Sequence, residues 1–394
     1  MAVSVPGRAP VAGAGDLFQL LRDGHARTRS ELADMTGMAR STISSRVEHL
    51  LGSGLVAPAG EAASTGGRPP ARFAFNPAAR LVVAADLGVT HGVVELTDLA
   101  GTVLAQHREP IRIDDGPEHV LRWVTRTASR LVGEVGRPVT DVVGTGIGVP
   151  GPVEHGSGRP VSPPIMPGWD GADVPALVGA HLPGTVLVDN DVNLMALGEH
   201  ATGWAHAPHL LFIKVATGIG AGVVSNGDLN RGAVGAAGDL GHVRVPTGND
   251  TPCPCGNTGC LEVVAGGRAI ATSLQAAGVP ASGSEDVVAL VQSGSVPAVR
   301  AVRQAGRDLG EVLATCVSLL NPSVIVVGGS MARVGEHLLA GIREVVYGRS
   351  LPLATQALRI VPSRVAERAG VVGACTMVVR HTLSPDVVDA TGLL

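Results

Sequence analysis

The sequence is short of lysine and of long apolar segments. Lys214 is the single lysine among 30 basic residues, which we attribute to an arginine-rich, GC-rich coding composition. No stretch approaches the ~20 uninterrupted apolar residues that a membrane-spanning helix needs. The first ten residues lack the charged start and the apolar run of a secretion signal. With 394 residues, 45% of them hydrophobic, we expect a globular, cytoplasmic protein of two or three domains.

Cysteine is also scarce, and its spacing does not suit a disulfide framework. Of five cysteines, three crowd into Cys253, Cys255 and Cys260, and His242 precedes them. One histidine and three cysteines on turns rich in Gly and Pro can wrap a tetrahedral ion and leave no coordination position open. The sequence therefore predicts a structural zinc site. The alternative is a loop that is merely lined by reduced cysteines.

Charge is divided unevenly along the chain. Residues 1–80 contain nine arginines and six acidic residues, a net charge of +3. The whole chain carries −4, so the remaining residues carry −7. A basic first part on an acidic remainder is typical of a protein whose first domain contacts phosphate.

Residues 1–80 are predicted to form a winged helix-turn-helix. In chain order, its predicted elements are a helix at 17–21, a helix capped by Ser30, a turn at Gly37, a helix at about 39–51, and strands at 55–56 and 72–75 around a Gly/Pro-rich wing. In the third helix, Ile43, Val47 and Leu50 fall on one face and predict a buried stripe. The fold predicted here is one that binds double-stranded DNA.

The residues expected to contact DNA are small hydroxyl side chains and arginines, which reach base edges and phosphates from the major groove. They are Arg40, Ser41, Thr42, Ser44, Ser45 and Arg46 on the third helix and Arg68 on the wing. An arginine on a wing can also enter the minor groove. The alternative is a three-helix interaction module whose polar face is simply solvated.

Residues 81–394 are predicted to form an α/β domain with an internal duplication. A buried strand at 81–85 runs into Asp86-x-Gly88-x-Thr90, and a second strand at 211–215 runs into the turn at 216–222. Each strand-turn-strand brings hydroxyl, carboxylate or backbone N–H groups to one point, which suits a phosphate and its magnesium. Two such loops in successive halves predict two lobes with a nucleotide between them.

A third buried strand, at 186–188, ends in Asp189-Asn190-Asp191 and leads into a helix. Ligands of α/β folds bind at the carboxyl ends of strands. A carboxylate such as Asp191 could take the proton from a substrate hydroxyl during phosphoryl transfer. We interpret Asp189 as a helix cap.

In this order, the motifs resemble the ROK family, the repressors and sugar kinases of the actin-like (ribonuclease H-like) superfamily, over nearly the whole chain. The motifs are Asp86-x-Gly88-x-Thr90, Gly148 to Val153, Asp189-Asn190-Asp191, Ala216 to Gly222, Gly238 to His242, the cysteine cluster, and Asn321-Pro322-Ser323 before Gly328-Gly329. The winged head resembles the repressor branch. The resemblance implies a winged head at 1–80 and a ROK sugar-kinase-like domain at 81–394. Within that domain it implies a small lobe of about 81–190 plus the C-terminal segment, and a large lobe of about 191–378.

The resemblance also implies residue roles. The implied sugar ligands are Asn190, Asp191, Asp239, His242 and Glu262, with Asp191 as the catalytic base if the protein is a kinase. The implied nucleotide-binding residues are Asp86, Gly88, Thr90, Thr217, Gly218, Gly328 and Gly329. His242 would bind zinc together with the three cysteines and also face the sugar.

Four departures from the family's kinases argue against phosphoryl transfer and against nucleotide, ATP and magnesium binding, and the one at Asp239 implies a different preferred sugar. Val89 and Ala216 replace glycines of the two phosphate loops, Asp239 replaces a glutamate, and no asparagine precedes Gly168-Trp169. We therefore predict a sugar-responsive DNA-binding transcriptional regulator, a repressor of carbohydrate genes. Its partners would be operator DNA, a sugar or sugar-phosphate effector, and further copies in a homodimer or homotetramer. The alternatives are an active ATP-dependent hexose kinase with an accessory DNA-binding head, and a DNA-binding scaffold whose body only dimerises.

Overall fold

A computed structural model of the protein describes residues 13–61 and 69–391. Its N-terminal part has the predicted helices and wing strands. They are α1 (Ala14–Leu21), β1 (Arg27–Thr28), α2 (Arg29–Thr36), α3 (Arg40–Gly52), β2 (Val56–Glu61) and β3 (Ala71–Phe75). β2 and β3 pair antiparallel, and the short β1 adds to the free edge of β3. Arg68, expected at the tip of the wing, lies outside the described residues.

The start of α2 differs from the prediction. Its N-cap is Thr28 rather than Ser30. The Thr28 hydroxyl accepts the backbone N–H of Glu31, and the Glu31 carboxylate accepts the backbone N–H of Thr28. This reciprocal capping box satisfies two N–H groups of the first turn, and such a cap is typically worth about 1 kcal/mol.

The rest of the chain alternates strands and helices, as predicted for an α/β fold. Its first half contains β4 (Leu81–Leu87), β5 (Gly92–Asp98), β6 (Val103–Glu109), α4 (Pro117–Glu134), β7 (Val142–Val149), β8 (Val153–Glu154), β9 (Arg159–Pro160), α5 (Val174–Gly179), β10 (Thr185–Asn190) and α6 (Asp191–Gly203). Its second half contains β11 (Leu210–Val215), β12 (Ile219–Ser225), β13 (Asp228–Asn230), α7 (Glu262–Ala265), α8 (Gly267–Ala276), α9 (Ser284–Gln292), α10 (Val296–Leu320), β14 (Val324–Gly328), α11 (Glu336–Arg349), α12 (Pro352–Thr355), β15 (Arg359–Pro362), α13 (Ala369–Thr382) and α14 (Pro385–Thr391).

The two halves contain sheets of identical topology, as the two strand-turn-strand loops predicted. The first sheet has the order β10-β7-β4-β5-β6, and the second has the order β15-β14-β11-β12-β13. In each sheet three strands that follow one another in the chain, β4-β5-β6 or β11-β12-β13, form an antiparallel meander. Two later strands, β7 and β10 or β14 and β15, add in parallel on the opposite side of β4 or β11. This is the duplicated, two-lobed architecture of the actin-like fold.

Two helices pack between the sheets, each against the half of the chain to which it does not belong. α6 follows the last strand of the first sheet but packs against β11 and β12, whereas α13 follows the last strand of the second sheet but packs against β4 and β7. The helices cross at Gly198 and Gly373. A Cβ atom at Gly373 would lie 1.8 Å from the carbonyl oxygen of Leu194, so only glycine permits this close approach.

The winged head packs against the C-terminal end of the chain. α1 lies on α14, where the N–H of Gly15 donates to the Asp389 carboxylate and the Gln19 side-chain amide donates to the carbonyl of Leu383. Buried apolar residues of the head, of β4 and of α13 form one continuous cluster. The division of the chain at residue 80 stays a prediction. No helix in the described ranges is both long and apolar enough to cross a membrane.

Candidate functional site

The carboxyl ends of the central strands bring the predicted sugar and nucleotide residues into one region. Asp86 is the second-last residue of β4, and Asp191 is the first residue of α6, directly after β10. Gly328 ends β14 and is the strand partner of Lys214 on β11. Asp86, Asp191 and Lys214 interact electrostatically, so the ends of both sheets contribute to this region.

An ion pair that the sequence analysis did not predict lies at its centre. The Lys214 ammonium donates a hydrogen bond to the Asp191 carboxylate, which is 4% exposed. Burial opposes the charge of Lys214, but the carboxylates of Asp191, Asp86 and Glu262 outweigh it and raise the pKa of the ammonium. The single lysine therefore lies within the candidate site, at a position that the sequence analysis did not single out. The available signal was one charged side chain inside the apolar strand β11.

Asp86 is held in an environment that disfavours its charge. Burial and the nearby Asp191 carboxylate raise the pKa of Asp86 to about 7, although Lys214 and Arg108 oppose the shift. At neutral pH this carboxyl group is therefore divided between its protonated and ionised forms.

The roles of Asp189 and Asn190 differ from the interpretation made from sequence. Asn190, not Asp189, caps α6, since its side-chain oxygen accepts the N–H of Val192. Asp189 is 1% exposed and forms an ion pair with Arg231, which follows β13 in the second half of the chain. The Asn190 amide also donates to the carbonyl of Gly151. Its role as a sugar ligand stays a prediction.

The first loop, Asp86 to His91, is closed by its own residues. The N–H of Gly88 donates to the carbonyl of His91, and the His91 ring covers Gly88 so closely that a Cβ atom there would lie 2.2 Å from it. Burial lowers the pKa of His91 and favours its neutral form. Val89, in contrast, is 42% exposed and has no positive φ angle. Thr90 is exposed beside it. The histidine, rather than the valine, fills the loop.

The second loop, Ala216 to Ile219, is closed in a similar way. The N–H of Ala216 donates to the carbonyl of Gly218, and the N–H of Ile219 donates to the Glu262 carboxylate at 3.0 Å. A Cβ atom at Gly218 would lie 2.3 Å from that carboxylate. Glu262 therefore occupies the space above the loop, while Thr217 is exposed.

The predicted metal ligands converge as a compact cluster. His242, Cys253, Cys255 and Cys260 each offer one ligand atom, and these atoms lie within 4.8 Å of one another. The Cys255 and Cys260 sulfurs are 3.7 Å apart, and the Cys253 sulfur is 3.5 Å from Nδ1 of His242. In a tetrahedron with Zn–S of ~2.3 Å and Zn–N of ~2.0–2.1 Å, these edges would be about 3.8 and about 3.5 Å. The donor set therefore fits a zinc ion in size and in chemistry.

The surroundings of the cluster act differently on its three thiols, since burial raises the pKa of Cys253 and of Cys260. A hydrogen bond from the backbone N–H of Asn257 lowers the pKa of the Cys255 thiol to about 7, towards the thiolate that metals bind. The other ring nitrogen of His242, Nε2, lies 3.9 Å from the Asp239 carboxylate. A carboxylate behind a ligating histidine fixes the orientation of its ring. Asp239 is thus placed beside the metal cluster, and its role in sugar binding stays a prediction.

The polar face of α3 is open to solvent, as predicted. Arg40, Ser41 and Ser45 are exposed, whereas Thr42, Ser44 and Arg46 are half-buried. Arg46 donates to the sulfur of Met38, which anchors its guanidinium on the head. The Arg40 side chain forms no hydrogen bond or ion pair with any of the described residues.

Comparison with known proteins agrees with these features. The sequence model of the family described as "ROK family" matches residues 82–381. The xylose repressor of Caldicellulosiruptor bescii is 28% identical over 384 residues, which cover 93% of this chain and 95% of the repressor. The glucokinase of Thermotoga maritima is 29% identical, but the match covers 75% of this chain and 96% of the kinase. A crystal structure described as a ROK family transcriptional regulator, homologue of the E. coli MLC protein, superposes with a TM-score of 0.82 at 25% identity, covering 96% of this chain and 98% of that structure. The chain therefore belongs to the ROK family.

Proposed function

We propose that the protein is a sugar-responsive transcriptional repressor in which a winged head binds operator DNA and a kinase-like body binds a sugar. The observation that carries this proposal is the exposed recognition face of α3, where Arg40 has no partner among the described residues. The coverage of the relatives supports it, because the repressor match includes the head and the glucokinase match does not extend over the whole chain.

The packing of α13 suggests how sugar binding reaches the head. At its first turn, Gly370 lies so close to Asp86 that a Cβ atom there would meet the carboxylate at 2.3 Å. Beyond its last turn, α14 holds α1 of the head through Asp389. A ligand that moves Asp86 or closes the two sheets around the site therefore shifts a rigid helix that ends at the DNA-binding head.

We propose that the body binds sugar without phosphorylating it, and that the cluster at His242 holds a structural zinc ion. Both loops that would hold the phosphates of ATP are filled, by His91 and by Glu262. Asp191, the residue that would act as the base, is bonded to Lys214. Zinc would be held by His242 and the three cysteines and would fix the loop that leads into Glu262. A hexose kinase with a DNA-binding head is the second candidate, and a coupled ATP assay with glucose distinguishes the two.

DNA binding is tested by selecting a binding site from a random DNA library and titrating it. We expect an inverted repeat whose half-sites are separated by about one helical turn, ~34 to 36 Å, or a multiple of it, because repressors of this type bind as two-fold dimers. Arg40→Ala is expected to weaken binding by about 1 to 3 kcal/mol, since the guanidinium is positioned to contact a base or a phosphate. Fluorescence anisotropy at several salt concentrations measures the change.

The matched control for the DNA experiment is Arg126→Ala, which removes an equally exposed arginine from α4 of the body. Its affinity is expected to equal that of the wild type, so a general effect of net charge is excluded. Failure to select any sequence would identify the head as an interaction module, whereas equal affinities for all three proteins would remove Arg40 from the DNA contact.

Sugar binding is tested with d-xylose and d-glucose by calorimetry. Asp191→Asn is expected to weaken binding of the responsive sugar by about tenfold or more, because a site built to accept hydroxyl hydrogen bonds is left with a mismatched group. Asp228→Asn, which changes an exposed carboxylate on β13, is expected to have no effect. An unchanged affinity of Asp191→Asn for a sugar that the wild type binds would remove Asp191 from the site.

A further inference from the structure

The charges around Lys214, where predicted sugar and nucleotide residues meet, do not balance. Three carboxylates, Asp86, Asp191 and Glu262, act on the ammonium of Lys214. That ammonium is already bonded to Asp191. The other cation that acts on Asp86 is Arg108, and it forms an ion pair with Glu367. With Asp86 protonated or ionised, the group of four therefore carries a net charge of −1 or −2.

Three backbone donors of the two loops are engaged as well. N–H groups on glycine-rich turns are the usual ligands of a phosphate in folds of this kind. Here the N–H of Gly88 donates to His91, that of Ala216 to Gly218, and that of Ile219 to Glu262. An incoming phosphate would therefore find three of the loop donors already used, and carboxylates where it would need positive charges.

We infer that the site binds an uncharged polyhydroxy ligand and rejects the phosphate esters of that ligand. This inference rests on the proposed sugar-sensing function. Of the two effector classes, free sugars and sugar phosphates, it selects the free sugars. Carboxylates accept hydrogen bonds from hydroxyl groups, so the excess of acceptors that repels a phosphate matches a free sugar. Like charges held together in a partly desolvated site repel more strongly than they do in water, which makes the discrimination large.

The experiment compares each free sugar with its ester on the full-length wild-type protein by calorimetry and thermal shift. The probes are d-xylose against d-xylose 5-phosphate and d-glucose against d-glucose 6-phosphate. We expect the ester of the responsive sugar to bind at least tenfold more weakly than the free sugar. Asp86→Asn removes one carboxylate, so the ratio of the ester's dissociation constant to that of the free sugar is expected to fall by about threefold or more. Lys214→Met removes the cation and is expected to raise the ratio, whereas Lys214→Arg is expected to keep it.

The outcomes separate this inference from the proposed function. An ester that binds as tightly as, or more tightly than, its free sugar overturns the inference and leaves sugar sensing intact. A preference for the free sugar that does not change in Asp86→Asn also overturns it, since charge would not be the cause. If neither the sugars nor the esters bind to the wild type, the proposed sugar-sensing function fails, and the inference fails with it.

Discussion

Protein purified without chelators is expected to contain one zinc ion per chain, and Cys255→Ser is expected to lose it. The reason is the compact cluster of His242, Cys253, Cys255 and Cys260, whose ligand atoms lie within 4.8 Å of one another. In small zinc domains the apparent contribution of the metal is about 10 to 16 kcal/mol. Without it, the segment from His242 to Cys260, which is held by turns and isolated β-bridges rather than by α-helices or sheet strands, is expected to unfold locally. Elemental analysis and hydrogen exchange of this segment measure the two effects.

The control for the zinc experiment is Cys375→Ser. Cys375 is buried far from the cluster in sequence, and its sulfur contacts the Thr97 hydroxyl at 3.2 Å, a contact that serine can keep. This variant is expected to retain a full equivalent of zinc. A wild-type protein without zinc, or a Cys255→Ser variant with a full equivalent, would contradict the assignment.

The second large effect is expected at Asp86. Its pKa is raised to about 7 in the folded protein, whereas an unfolded aspartate titrates near 3.9. Between these values the folded state holds a proton that the unfolded state has released, so this group's contribution to stability falls as the pH rises through 7. The full loss is up to about 4 kcal/mol, and about 3 kcal/mol of it falls between pH 5 and pH 8.

Asp86→Asn removes this titration and is therefore expected to gain stability over the wild type as the pH rises. Urea denaturation of both proteins at pH 5, 6, 7 and 8, with zinc present, measures the difference in the free energy of unfolding. Asp228→Asn, at an exposed position on β13, is expected to show no such trend. A difference between Asp86→Asn and the wild type that stays constant over this range would show that Asp86 has an ordinary pKa.

Local patterns in the sequence were sufficient for the helices of the head, the two wing strands and the strand-turn-strand segment of each sheet. The cluster of His242 with three cysteines was also predictable, because the four residues are close in sequence and chemically distinctive. The cap of α2 was missed although its signal, Thr28-x-x-Glu31, is present in the sequence. At the start of α6 no such signal exists, since Asp189 and Asn190 are both good capping residues and only the distant Arg231 decides between them.

The charge pattern of the sugar site could not be predicted from sequence, because it depends on contacts between distant segments. Lys214 and Asp191, which form the ion pair, are 23 positions apart in the sequence, and Asp86 precedes Asp191 by about a hundred positions. The same holds for the loops. Val89 stands at the altered position of the first loop, but the residue that fills the loop is His91, whose rotamer depends on the packing around Gly88.

The exchange of α6 and α13 between the sheets limits how the protein can be divided. A fragment containing residues 81–190 would expose the apolar faces of β4 and β7, because the helix that covers them comes from residues 369–382. A fragment that begins at β11 would lack α6 and would expose β12 in the same way. We therefore expect that neither half folds on its own and that the native structure forms only when both fragments are present. The two halves can diverge in sequence only as long as Gly198 and Gly373 still let the helices cross.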